Sequence, residues 1–339
     1  MTDPGWNLPG QQPGQPPAGS TPSGGFAIPP APPVMPPYEQ AAASDPLISQ
    51  DYGGWFSRGT TIVKRAWKEL AVLQAVGLVL VLLVQAPIAV FVAFRTDDLQ
   101  NLAGTGSPDE PPDFGLLFGI IGAGLLVVLI SVILTAIITL ASVHIGVSAA
   151  VGAPVRIGDA LGLAVRRVFP LLGWQILAIP IYIAGLCLCL LPILYVAAVF
   201  TVLPVVVAAE RTNAIGRCFK LFHGNLGASA GRIATIIGFT FGVALVANLF
   251  GTVISAAAES GSVGRAGLVF GTVAATGVEA VISGALAILL APLTLTAYAD
   301  MRSRVEPISS ATIAHELGIA TDSWASPPGF QTPPPYPSY

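Results

Sequence analysis

The sequence predicts an all-α membrane protein: six transmembrane helices in three hairpins, each hairpin preceded by a short interfacial amphipathic helix, behind a disordered Pro-rich N-terminal tail. Three observations carry this. Of 339 residues, 53% are hydrophobic and 10% charged, at a mean hydropathy of +0.75, where a soluble domain carries about 25% charged residues. Residues 168–209 run 42 positions without a charge, and one bilayer crossing takes about 20 apolar residues. Basic residues stand at both feet of that run: Arg156, Arg166 and Arg167 before it, Arg211, Arg217 and Lys220 after it. A hairpin with two basic feet enters and leaves on the same, cytoplasmic side.

The elements follow in order. Residues 1–57 hold no Lys or Arg, and 13 of the first 50 are Pro. Such a tail buries too little apolar surface to offset its ordering entropy. It is expected to be disordered, with polyproline stretches around Pro29-Pro30-Ala31-Pro32-Pro33 and Pro36-Pro37-Tyr38. The C-terminal tail, 307–339, repeats the style in Pro333-Pro334-Pro335-Tyr336. Both tails read as solvated tethers, or as ligands for a protein partner with an aromatic groove.

Between the tails, residues 58–306 form the six-helix domain. Lys64, Arg65 and Lys68 precede a charge-free run of 25 residues, 70–94, which makes the first span, with Gln85 and Pro87 in its outer half. The loop 95–113 carries Asp97, Asp98, Asp109, Glu110 and Asp113 against one Arg and is expected outside. Residues 114–155 hold no Asp, Glu, Lys or Arg. Two spans there would put Arg156, Arg166 and Arg167 outside, so one long helix over about 116–142 is expected, followed by an interfacial stretch. His144 then lies near the inner interface, as a packing residue or a proton relay. The central hairpin supplies spans at about 169–190 and 192–209, turning at Leu191-Pro192. The fifth and sixth spans are expected at about 233–258 and 278–299. This assignment puts 13 of the 15 Lys and Arg residues, and both termini, in the cytoplasm.

The segments entering spans one, three and five are alike. With Ala66, Ala164 and Cys218 aligned, Val63, Leu161 and Ile215 stand three before, Trp67, Val165 and Phe219 one after, and Leu70, Val168 and Phe222 four after. These offsets share one helical face. A cation follows two after the anchor each time (Lys68, Arg166, Lys220), and an N-cap type stands five before it (Thr61, Asp159, Asn213). The pattern predicts three interfacial helices whose cations contact anionic lipid headgroups. Plain anchoring is the alternative.

Gly158-Asp159-Ala160-Leu161 through Arg166-Arg167, Leu171-Leu172-Gly173-Trp174, the hairpin with Pro192, Asn213-Ala214-Ile215-Gly216-Arg217 through His223-Gly224-Asn225, and the exit Tyr298-Ala299-Asp300-Met301-Arg302-Ser303-Arg304-Val305-Glu306 form a further pattern. Over about residues 60–306 it resembles the six-span membrane domain attached to some bacterial glycerophosphodiester phosphodiesterases, and its stand-alone actinobacterial relatives. The exit is similar to that family's Tyr-x-Asp-Leu-Arg-x-Arg-x-Glu ending, with Met301 in place of Leu. The resemblance implies a six-span fold and no catalytic residue.

The phosphodiesterase itself needs a further barrel of about 250 residues, and no P-loop, zinc spacing or nucleophile elbow occurs. No catalytic residue, cofactor or metal is therefore expected, nor nucleic acid as a partner. Cys187 and Cys189 form a Cys-x-Cys pair, read as buried packing residues rather than metal ligands, and Cys218 lies on the cytoplasmic side, so no disulfide framework is implied. Gly-x-x-x-Gly pairs such as Gly238/Gly242 permit close helix packing.

One acid stands out. Glu279 lies inside the last apolar run, 266–299. It sits either at the outer interface, with 266–278 as a membrane-dipping segment, or within the membrane, where a charge costs about 2.5–3.5 kcal/mol and marks function. In the second case Gln85, Gln175 or Asn248 are its expected polar partners. The candidate sites are thus Lys68, Arg166 and Lys220 for lipid headgroups, and Glu279, His144 and Asn248 for an intramembrane polar site. The expected function is a non-catalytic, multi-pass protein of the bacterial plasma membrane that binds or organises lipids or partner proteins. The alternative is a transporter or permease for a lipid or small solute.

Overall fold

The computed structural model describes residues 45–95, 114–188, 190–260 and 264–320. Among them nine helices form: α1 Tyr52–Phe94, α2 Phe114–Val151, α3 Ile157–Leu188, α4 Leu190–Phe200, α5 Leu203–Ala209, α6 Ala214–His223, α7 Leu226–Ser260, α8 Gly264–Ser303 and α9 Ser310–Glu316. They build six stretches long and apolar enough to cross a membrane. The all-α, six-span class is as the sequence predicts. Residues 1–44, the loop 96–113 and residues 321–339, on which most of the tail and outer-loop expectations fall, lie outside the described residues.

Neighbours in sequence pack as antiparallel neighbours in space. α1 lies against α2 and α8, α2 against α3, and α7 against α8. Two glycines set the closeness of α1. A Cβ on Gly59 would stand 2.5 Å from Leu293 Cδ2 of α8, and one on Gly77 would strike Ile138 of α2. Most of the core lies at the basic end of the bundle. Residues 140–150 of α2 are buried, as are all residues of α5 but Pro204. Toward the far end, large apolar side chains such as Phe118, Leu125, Ile176 and Leu245 point outward, the surface a bilayer would cover.

The fourth span departs from the expected single helix. It breaks at Thr201-Val202 into α4 and α5, because Pro204 has no N–H to offer the Phe200 carbonyl. The hairpin turn falls earlier than Leu191-Pro192. α3 ends at Leu188, and Pro192 sits in the first turn of α4, where proline is tolerated. Gly185 makes that turn possible, since a Cβ there would lie 3.2 Å from the Ile193 Cα. The sixth span also differs. α8 is one helix of 40 residues, so 266–278 continues the span rather than forming a separate outer segment.

The three interfacial helices take three forms. The first is fused to its span, with a kink at Ala66 (φ −118°, ψ 20°), and its cap is Asp51, not Thr61. The second runs straight into α3, with Asp159 in the first turn. Only the third, α6, is a separate helix, capped as expected by Asn213, whose side chain accepts from Gly216 N–H at 3.1 Å. The aligned anchors Ala66, Ala164 and Cys218 are all fully buried. The predicted apolar face splits, however. Leu70, Val168 and Phe222 turn into the protein, while Trp67 and Val165 are 54% and 56% exposed. In the first two stripes the bundle takes one edge and leaves the other outside, while in the third Phe219 packs against Phe200 and Tyr195.

The tails begin farther out than expected. Residues 45–57, assigned to the disordered tail, are folded: Leu47, Ile48 and Trp55 are buried, and the Trp55 indole donates to the Leu293 carbonyl at 3.1 Å. Charges hold this segment. Arg232 of α7 pairs with Asp300 of α8 and donates to the Ser49 carbonyl at 3.1 Å, while Arg304 donates to the Gln50 carbonyl at 3.0 Å. The C-terminal segment returns as well. α9 buries Ile313 and Ala314, and Asp45 accepts from the Ser310 N–H at 2.8 Å.

A second ionic group closes the basic end. Glu210, at the end of α5, accepts from Arg217 Nε at 2.6 Å and from the Tyr298 hydroxyl at 2.7 Å. Arg302 grips Glu316 through two nitrogens at 2.5 and 2.7 Å. The exit motif 298–306 therefore works as a clamp between α5, α6, α8 and α9.

Candidate functional site: an intramembrane cavity

Above this closed end lies an open cavity of about 840 Å³, several of whose lining side chains, Val128, Val132, Thr135 and Glu279 among them, are exposed. One face of α2 forms its wall. Ser131, Thr135 and Thr139 recur every four residues, so their hydroxyls stack along one side of the helix. From Gly124 to Thr139 the wall is about 22 Å long, at 1.5 Å per residue. α1 contributes Gln85, α3 contributes Gln175, and α8 contributes Thr276 and Glu279. Leu171 and Pro204 lie at the end nearest the packed body. The helix break at Pro204 thus lines a cavity and does not face lipid, as irregular backbone at membrane depth must.

The register of α1 against α8 places Glu279 along α1. Gly284 faces the Gln74 side chain, with an added Cβ 4.0 Å from the Gln74 Cβ. In an antiparallel pair, Glu279, five residues before Gly284 on α8, is then level with about residue 79 of α1. That is inside the charge-free run 70–94, about 16 Å beyond Lys68 at 1.5 Å per residue. The Glu279 side chain is exposed there.

Hydrogen bonding sets the polarity of the wall. The Thr139 hydroxyl donates to the Thr135 carbonyl at 2.8 Å, and the Thr276 hydroxyl to the Thr272 carbonyl at 2.9 Å. The Gln85 amide donates to Ser131 Oγ at 3.3 Å. The Thr139 and Thr276 protons are thus engaged on their own helices and those two oxygens present lone pairs, while the second Gln85 N–H, the Ser131 and Thr135 hydroxyls and the Gln175 amide can still donate. The lining contains no Lys, Arg or His, and Glu279 forms no ion pair among the described residues.

The other expected site residues lie elsewhere. Gln85 and Gln175 share the cavity with Glu279, but Asn248 does not. It is exposed on α7 and donates to its own Ala244 carbonyl at 2.8 Å. His144 is packed in the closed body, 8% exposed, with Nδ1 unpartnered among the described residues. Lys68, Arg166 and Lys220 are all exposed at the basic end, and the Lys68 ammonium lies 5.9 Å from the Trp67 ring. The third foot is partly covered by protein: Tyr195 of α4 bonds His223 at 3.1 Å and packs edge-on to Phe222. Cys187 is exposed, Cys218 is buried, and Cys189 lies outside the described residues. No group of His, Cys, Asp or Glu among the described residues is arranged to hold a metal ion.

The sequence reading passed over the hydroxyl ladder Ser131, Thr135 and Thr139. Its signal was present: three hydroxyl residues four apart in a run otherwise built of aliphatic residues and glycine.

Comparison with protein-family models, with curated proteins and with solved structures finds no match to this chain.

Proposed function

We propose that this protein binds a lipid or a small amphipathic molecule in its intramembrane cavity, as a non-catalytic carrier or permease of the bacterial plasma membrane, with both termini in the cytoplasm. The observation that carries the reading is the convergence of Gln85, Gln175 and Glu279 from three helices on one cavity. Polar groups are costly in the hydrocarbon region and cluster where a protein handles a solute. Side chains such as Val127, Val128 and Val132 supply an apolar surface beside them, the mixture that recognises an amphiphile. The bias of basic residues to one end supports the orientation. Kinship with the phosphodiesterase-associated membrane domain is part of the proposal, resting on the motifs quoted above.

The test is native mass spectrometry of the full chain released gently from its own membrane. A species retained at about one per chain, and lost in Thr135→Phe, supports the cavity. Thr135 is exposed to the cavity, so the added ring grows into the open volume. Equal retention by both proteins overturns the reading.

A second reading concerns the feet. Lys68, Arg166 and Lys220 are exposed beside exposed Trp67 and Val165, which suits contact with anionic headgroups at about 1 kcal/mol per cation. Loss of anionic lipid from a Lys68/Arg166/Lys220→Ala variant supports that role, and unchanged lipid content contradicts it.

A further inference from the structure

Resting on the cavity reading just given, we infer that the occupant carries a cationic head, an ammonium or related organic cation on an apolar body, with Glu279 as its counter-ion. Three observations converge. Among the described residues Glu279 is the one charged residue of the lining, and it has no cationic partner there. Its side chain is exposed to the cleft, at a level on α8 that faces the charge-free run of α1, where an apolar surround strengthens pairing with a bound cation. Two neighbouring hydroxyls act as acceptors toward the cavity, because the Thr139 and Thr276 protons are engaged on their own helices.

An anionic lipid head finds no positive charge in this lining and meets the Glu279 carboxylate. A neutral head gains hydrogen bonds but leaves that carboxylate uncompensated. A cation satisfies both the charge and the lone pairs. The aliphatic wall of Val127, Val128 and Val132 then takes the hydrocarbon body.

The experiment uses the full chain in phosphatidylcholine nanodiscs, with partition into empty nanodiscs subtracted. The probes are dodecyltrimethylammonium and the near-isosteric neutral dodecyldimethylamine N-oxide. The expected result is that the cation binds about tenfold tighter or more, that Glu279→Gln brings it to the N-oxide level without moving the N-oxide, and that Thr135→Phe weakens both. Equal binding of the two probes, unmoved by Glu279→Gln but lost in Thr135→Phe, overturns the cationic inference and leaves the cavity reading standing. Binding of neither probe above empty nanodiscs, or binding that Thr135→Phe leaves unchanged, overturns both.

Discussion

Arg232 of α7 and Asp300 of α8 pair at the basic end with side chains only 2% and 1% exposed. This pair does more than join two helices. Arg232 also donates to the carbonyls of Ser49 and Asp51, and Arg304, which shares Asp300, donates to that of Gln50. A segment that precedes the first span is thereby tied to the last two. Removing one partner of a buried pair leaves an uncompensated charge and costs about 3–5 kcal/mol. Asp300→Asn and Arg232→Met should each lower the thermal midpoint strongly. The double variant Arg232→Met/Asp300→Leu should lose less than the sum of its singles. Additive losses in detergent thermal-melt assays contradict a coupled pair. Arg232→Met should also expose the chain near residue 50 to limited proteolysis.

The ion pairs outside the spans give the stability a pH dependence. Burial pushes the Glu306 carboxyl up, but Arg302 and Arg217 outweigh it, and the group is held below its ordinary value. Asp51 is lowered too, first by the Gly54 N–H that its carboxylate caps. A depressed carboxylate stabilises the fold above its ordinary pKa, and that contribution is lost as pH falls through the lowered value. Arg217 is the reverse case. Burial lowers it, Glu210 and Glu306 more than compensate, and its raised pKa keeps its contribution intact at every working pH. The thermal midpoint should therefore be flat near neutrality and fall below about pH 4. Glu306→Gln should lower the plateau and shallow the acid fall; an unchanged acid limb contradicts the assignment.

Cys218 should be inert from both sides of the membrane. Burial raises its thiol to about 12, and only the thiolate reacts. At pH 8 about one molecule in ten thousand carries that thiolate. Labelling at Cys218 should be absent in intact and in permeabilised cells and appear on denaturation. Prompt labelling of the folded protein contradicts the packing of α6.

Gly185→Val tests the central hairpin. The nearest atoms to an added Cβ are the Ile193 backbone at 3.2 and 3.3 Å, which cannot turn aside as a side chain can. Destabilisation of about 1–3 kcal/mol is expected, read as a lower thermal midpoint. Gly173→Val, with nothing within 4 Å of its Cβ, is the control and should be near neutral.

What the sequence made legible was what depends on transfer energies. Long apolar runs gave the all-α, six-span class, and the small or apolar anchors Ala66, Ala164 and Cys218 proved buried. What it hid depends on which helices meet. The stripe Val63-Ala66-Trp67-Leu70 reads as a single apolar face, but the bundle buries Ala66 and Leu70 and leaves Trp67 outside. The ionic clamp joins Glu210 to Arg217 and to Tyr298, 88 residues away, a pairing no local pattern displays. Glu279 stood out by its chemistry alone. That Gln85 and Gln175 share its cavity and Asn248 does not follows only from packing.

The most direct measurement is cysteine accessibility along α2 in a background free of Cys187, Cys189 and Cys218. Thr135→Cys faces the cavity, and Leu129→Cys lies on the outward surface, 55% exposed. A small polar thiol reagent reacts only where water supports a thiolate. The cavity account predicts modification at position 135, slowed by an amphiphilic cation, and none at 129 in the bilayer. No reaction at 135 under conditions that label a loop cysteine, or equal reaction at both positions, contradicts it.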